Sequence, residues 1–123
     1  MTSNAFRELA LALPGAIESS HMGHPDFRAN GKIFATLQYP DENWGMVKVP
    51  PEQQEEFVRN HPKVFVPVKG VWGRQGSTSV LLKEATESIL REAMQMAWKN
   101  TASTSQTRRT AKKASAGSRR RGR

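Results

Sequence analysis

Apolar residues recur at i, i+3, i+4 and i+7 across Phe6, Leu9, Ala10 and Leu13, the spacing of one helix face. Thr2 or Ser3 supplies a cap and Pro14-Gly15 a stop, so the pattern predicts a first helix over residues 3–13. A β-hairpin is expected between Pro25 and Leu37. There Asp26-Phe27-Arg28-Ala29 and Lys32-Ile33-Phe34-Ala35-Thr36-Leu37 are joined by Asn30-Gly31, the pair that supplies the positive φ angles of a type I′ turn. Pro40-Asp41-Glu42-Asn43 predicts a further turn before a third strand, Trp44 to Val49, and Pro50-Pro51-Glu52 then opens a short helix to Asn60. Val64 to Val68 reads as a short extended piece broken by Pro67, and Val71-Trp72 lies between Lys69-Gly70 and Gly73-Arg74-Gln75-Gly76 in a glycine-rich loop. Ser77 to Leu82 has the β-branched content of a strand. From Glu84 to Lys99 the stripe Ile89, Leu90, Ala93, Met96 and Ala97 predicts a last helix packed on the sheet. The order α-β3-α-β2-α, with sequence-adjacent strands, predicts an α+β domain of two layers: an antiparallel sheet with helices packed on one face.

With 123 residues and 37 % hydrophobic side chains the chain suffices for one domain. The absence of cysteine excludes a disulfide scaffold, a thiol nucleophile and a Cys-ligated metal site. No run of about 18 apolar residues occurs, and the N-terminus lacks a basic region ahead of its short apolar stretch. A soluble, cytoplasmic protein without membrane contact is therefore expected. Charge divides the chain more sharply than any of this. All 11 acids and 11 of the 19 basic residues lie in residues 1–100 and cancel, so the net charge of +8 belongs to residues 101–123. That tail carries Arg108, Arg109, Lys112, Lys113, Arg119, Arg120, Arg121 and Arg123, with no acid and no large apolar residue. It cannot bury enough surface to offset roughly 1–2 kcal/mol of backbone entropy per ordered residue, so a boundary near Asn100 and a disordered basic tail are expected. Such Lys/Arg density is typical of arms that neutralise phosphates; a tail that only confers solubility is the plainer alternative.

Candidate chemistry in residues 1–100 is sparse. His21-Met22-Gly23-His24 places two His three apart in an expected loop; with Asp26 they make only a speculative metal trio, and a solvated loop is the ordinary reading. No HExxH, G-x-S-x-G, Walker A or G-x-G-x-x-G occurs. Glu52, Glu55 and Glu56 fit the acidic first turns of a helix better than acid–base work. The expectation is a protein with no catalytic residues, cofactor, metal or small-molecule substrate. Phe27, Phe34, Phe65, Trp44 and Trp72 read as core or strand-pair aromatics, although an exposed Trp72 between Lys69 and Arg74 would suit stacking on a base.

Several segments together resemble a known family. Leu13-Pro14-Gly15-Ala16, Gly23-His24-Pro25-Asp26-Phe27-Arg28, Gly31-Lys32-Ile33-Phe34-Ala35, Val47-Lys48 with Pro51-Glu52, and Pro62 through Pro67 leading to Trp72-Gly73 are similar, in that order, to the MmcQ/YjbR family of small bacterial proteins. The resemblance spans residues 5–98 and implies a curved antiparallel sheet, a topology related to secretion chaperones, and a double-wing arrangement proposed to bind DNA. The basic extension past Asn100 departs from the family pattern. By loop position the Asn30-Gly31 hairpin with Arg28 and Lys32 is one candidate wing and the loop with Lys69, Trp72 and Arg74 the other; two ordinary solvent-facing hairpins are the plainer alternative.

Two functions follow as expectations. The first is a non-enzymatic nucleic-acid-binding protein, DNA rather than RNA, whose tail neutralises phosphates while the loops position or bend the duplex; phosphate contacts carry no base information, so specificity is not implied. The second is a chaperone-like interaction module that grips a partner through the sheet, its tail serving solubility or acidic partners; fold analogy motivates it, and fold does not fix function.

Overall fold

The computed structural model describes residues 1–38 and 41–111, and the side chains of the last helix through Ala102. Helix α1 (Ser3–Leu11) starts at Thr2, whose Oγ1 accepts from Ala5 N at 3.0 Å. Strands β1 (Ile17–His21), β2 (His24–Ala29), β3 (Lys32–Leu37) and β4 (Trp44–Lys48) follow, then α2 (Pro51–Asn60), with Pro51 in its first turn. The chain continues as β5 (Phe65–Pro67), the four-residue α3 (Val71–Arg74), β6 (Ser77–Leu81), a 3₁₀ turn over Leu82–Glu84 and α4 (Glu87–Ala111). All six strands form one antiparallel sheet in the order β1-β2-β3-β4-β6-β5.

The register separates the two faces of the sheet. Phe27, Ala35, Val47, Thr78 and Pro67 stand side by side across five strands, and the next row on that face is Leu37, Gly45, Val80 and Phe65. The buried apolar residues of α1, α2 and α4 belong to the same core as these rows. Phe6 of α1 has its ring centroid 6.1 Å from that of Phe27, and Phe57 of α2 lies 5.1 Å from Phe65. Leu90, Ala93, Met94 and Ala97 of α4 are buried in the same core. Phe6, Phe27, Phe34 and Phe65 are the largest fully buried side chains, each contributing about 1.5–3 kcal/mol of apolar burial. This is the expected two-layer α+β domain with its helices on one face. A bulge between Phe27 and Arg28 leaves Phe34 without a partner in the register and lets it enter the core beside Ala35; such bulges bend the strand pair that carries them.

Several elements differ from expectation. The segment of the two His is not a loop but the end of a hairpin: His21 closes β1, His24 opens β2, and Met22 and Gly23 turn between them with φ of 51° and 82°. Strand β1, unforeseen, is an edge strand with all five side chains exposed. The other edge, β5, is three residues long and contains Pro67, whose missing N–H is tolerated at an edge. The glycine-flanked loop contains helix α3. Trp72, read as a core aromatic, is 70 % exposed. Asn30 and Gly31 take the expected left-handed turn, with φ of 54° and 74°. Asp41 and Asn43 form the next turn through a 2.8 Å bond from Asn43 N to Asp41 Oδ1, while Pro40 lies outside the described residues.

The last helix begins three residues later than expected and passes its expected end at Lys99. Thr101 is buried, donates to Trp98 O at 2.7 Å and accepts from Asn30 Nδ2 at 3.0 Å, so the helix is anchored to the β2–β3 turn beyond Asn100. No Gly or Pro occurs between Thr101 and Ala111 to break it. Residues 112–123 of the expected disordered tail lie outside the described residues.

Candidate nucleic-acid interface

Antiparallel register decides which loops share an end of the sheet. Ala29 pairs with Lys32 across the Asn30-Gly31 turn, Lys48 ends β4 opposite Ser77, and Pro67 pairs with Thr78. The β2–β3 turn, the end of β4 and the β5–β6 connection therefore sit together. Arg28, Lys32, Lys48, Lys69 and Arg74 all belong to this end. Asp41 and Glu42 on the β3–β4 connection, and Glu84 and Glu87 after β6, fall at the opposite one. Helix α4 reaches the cationic end as well, through the Asn30–Thr101 bond and a 3.4 Å bond from Asn100 Nδ2 to Lys48 O. A cleft of about 430 Å³ opens where these parts meet, lined by Arg28, Lys32, Ile33, Lys48, Asn100 and Thr101 among others and by no acid.

Arg28 is held differently from the lysines. Its Nε donates to Asp26 Oδ1 at 2.8 Å and its Nη2 to Asp26 Oδ2 at 3.0 Å, while His21 Nδ1 lies 2.7 Å from the same Oδ2. Asp26 is fully buried on the sheet face away from the helices, in a cross-strand row with Ser19 and Thr36. The Arg28 guanidinium, outweighing the opposing push of burial and helped by His21, holds the Asp26 carboxyl below the usual carboxylate range. Two of the three guanidinium nitrogens of Arg28 are thus spent on an internal ion pair.

The β5–β6 connection is fastened from below. Gln54 Nε2 of α2 is 2.9 Å from Gly73 O, 3.0 Å from Ser77 O and 3.1 Å from Thr78 Oγ1. Gly73 packs so closely that a Cβ there would lie 1.6 Å from Val68 O. Val68 N donates to Ser77 O at 3.0 Å and closes the base of the loop. On this platform Val71 is 52 % and Trp72 70 % exposed. Glu52 and Glu55 of α2 line a separate groove together with Gln54, Arg59 and Pro67.

The structure thus brings Arg28 and Lys32 together in one cleft and sets Lys69, Trp72 and Arg74 on a second loop at the same end. Lys48, Asn100 and Thr101 are members that sequence reasoning missed; only strand register and the length of α4 bring them in. Of the tail residues, Arg108 and Arg109 fall within the span of α4, and Lys112, Lys113, Arg119, Arg120, Arg121 and Arg123 lie outside the described residues. Among the described residues no group of three His, Asp or Glu is placed to hold a metal ion, and no helix is long and apolar enough to cross a membrane.

Comparison with known protein families matches YjbR over residues 11–100. The chain belongs to the YjbR family. Among solved structures, the YjbR chain is similar to the Deinococcus radiodurans protein DR2400, a DUF419 domain, with a TM-score of 0.66 and 19 % identity over 79 % of this chain and 75 % of that one. That likeness supports the fold. No curated protein matches the chain. The match to YjbR covers residues 11–100, and the eight basic residues from Arg108 to Arg123 lie beyond it.

Proposed function

We propose that this YjbR protein binds DNA without catalysing a reaction, through phosphate contacts made by its basic tail and by the cationic end of its sheet. The observation that carries the reading is the path of α4, which joins the cationic end at Asn30 and Lys48 just before the chain enters a segment with eight basic residues and no acid. The tail supplies eight positive charges by composition, and Lys32, Lys48, Lys69 and Arg74 supply charge at the sheet end. Both kinds of contact neutralise phosphates and release counterions, which gives affinity and orientation but no base readout.

The test of the folded contribution is a full-length variant carrying Lys32→Gln, Lys69→Gln and Arg74→Gln. Each lost phosphate contact is expected to flatten the plot of log K against log salt by about 0.9 for duplex or 0.7 for single strands, and to weaken binding evenly across sequences. Fluorescence anisotropy over a salt series reads both quantities. An unchanged slope in the triple variant would remove the sheet end from the interface and leave the tail alone.

One observation favours the interaction-module reading: β1 offers an edge of five exposed residues with neither Pro nor Lys to block pairing with another chain. A partner retained at high salt by the full chain would support that reading over DNA binding.

A further inference from the structure

We infer that Trp72 is a stacking platform for an unpaired base, so that the nucleic acid taken by the cationic end is single-stranded in preference to duplex. This rests on the nucleic-acid reading above and specifies its substrate. Three observations converge on it. Trp72 is 70 % exposed and its neighbour Val71 52 %, so α3 leaves two consecutive apolar side chains in solvent rather than a single stray one. The loop beneath is not slack: Gln54 Nε2 faces three acceptors there, and Gly73 is in contact with the Val68 backbone. The backbone that carries the exposed ring is therefore held in place, and little loop ordering remains to be done when a planar ligand arrives. Finally, Lys69 and Arg74 bracket Trp72 in sequence on the same loop, so a nucleotide stacked on the indole would have cations for the phosphates on either side.

The chemistry then selects the strand. A base within a duplex has both faces covered by its neighbours, and exposing one means unstacking a step. A single strand offers free faces, and every base has one, so stacking gives affinity without sequence choice. Across the sheet, the β2–β3 turn lies three strand spacings from β5, roughly 15 Å, a distance that a few nucleotides cover. Phosphates running from Lys32 past Lys48 toward Lys69 and Arg74 would thus bring a base to Trp72.

The experiment uses the full chain with three end-labelled probes of equal length: oligo-dT, a duplex, and a strand in which the bases are replaced by abasic sites. The wild type is expected to bind oligo-dT more tightly than the other two. Trp72→Ala should lower the affinity for oligo-dT relative to the duplex by about 5- to 150-fold, the range measured for one stacked base. Trp72→Phe should keep most of the preference. Stronger binding of duplex than of oligo-dT, or a Trp72→Ala variant with an unchanged ratio, overturns the inference while DNA binding stands. Equal loss on the abasic strand overturns it too, since that loss cannot come from stacking. A wild-type chain that binds none of the probes defeats the nucleic-acid reading itself, and a Trp72-dependent protein partner would then take its place.

Discussion

Replacing Arg108, Arg109, Lys112, Lys113, Arg119, Arg120, Arg121 and Arg123 together by Gln is expected to abolish most of the salt dependence of DNA binding. If all eight tail cations reach phosphates, the slope of log K against log salt is about −7 on duplex and about −6 on a single strand. The wild-type chain should then lose roughly 10³- to 10⁴-fold in affinity between 50 and 200 mM salt, and the Gln variant only the small part owed to the sheet end. No other change in this protein removes as much charge with as little damage to packing, because the tail has no large apolar residue to contribute to the core. Parallel salt plots for the two chains would show that the tail does not touch the nucleic acid.

The second large effect concerns the fold. Asp26 is fully buried and accepts from Arg28 through both oxygens, with His21 on one of them. Asp26→Asn removes the charge, turns one acceptor into a donor facing Arg28, and is expected to cost about 2–4 kcal/mol of stability at pH 7. The pH dependence follows from the lowered carboxyl. An unfolded chain takes up this proton near the ordinary Asp value of about 3.9, while the folded chain resists it to lower pH. The contribution of Asp26 is therefore complete above about pH 4–5 and is lost as pH falls through the folded value. Urea unfolding of both chains at pH 7, 5, 4 and 3 should show a gap that is constant over the first two and narrows below them. A gap that widened in acid would mean that the carboxyl is not held by Arg28 in the folded state.

Asp26 also shows where the sequence stops being legible. The strand bearing it was readable, because Asn30-Gly31 fixes the turn, with φ of 54° and 74°, and Phe27 alternates with its neighbours. Its ion pair with Arg28 follows from the two-residue period of that strand. His21 does not: it arrives from β1, whose sequence Ile-Glu-Ser-Ser-His has one apolar residue and no alternation. An edge strand with five exposed side chains is ordered by backbone pairing to β2, a term that leaves no mark on the hydrophobic pattern. Helix α3 was hidden for another reason. Gly73 reads as a breaker, yet it is there because a Cβ would collide with Val68 O. The end of α4 depended on Thr101, a polar residue buried by a partner 71 positions away.

The same limit applies to the candidate interface. Charge segregation located the basic segment from the sequence alone, and Asn30-Gly31 located the β2–β3 turn. That Lys32, Lys48, Lys69 and Arg74 share one end of the sheet is a property of strand order β3-β4-β6-β5, with β4 and β6 paired across a long connection. No local spacing encodes it. The loop that carries Trp72 is likewise fastened by Gln54, 18 positions earlier in the chain and reaching Gly73 O from α2.

The most direct measurement is a chemical-shift map of the ¹⁵N-labelled full chain titrated with a short DNA strand. Changes are expected at Asn30 to Lys32, Lys48, Lys69 to Arg74, Asn100 and Thr101 together with the tail amides, and little change at Asp41, Glu42 or Glu84. Shifts confined to the tail, or centred on β1 and the opposite end of the sheet, would contradict it.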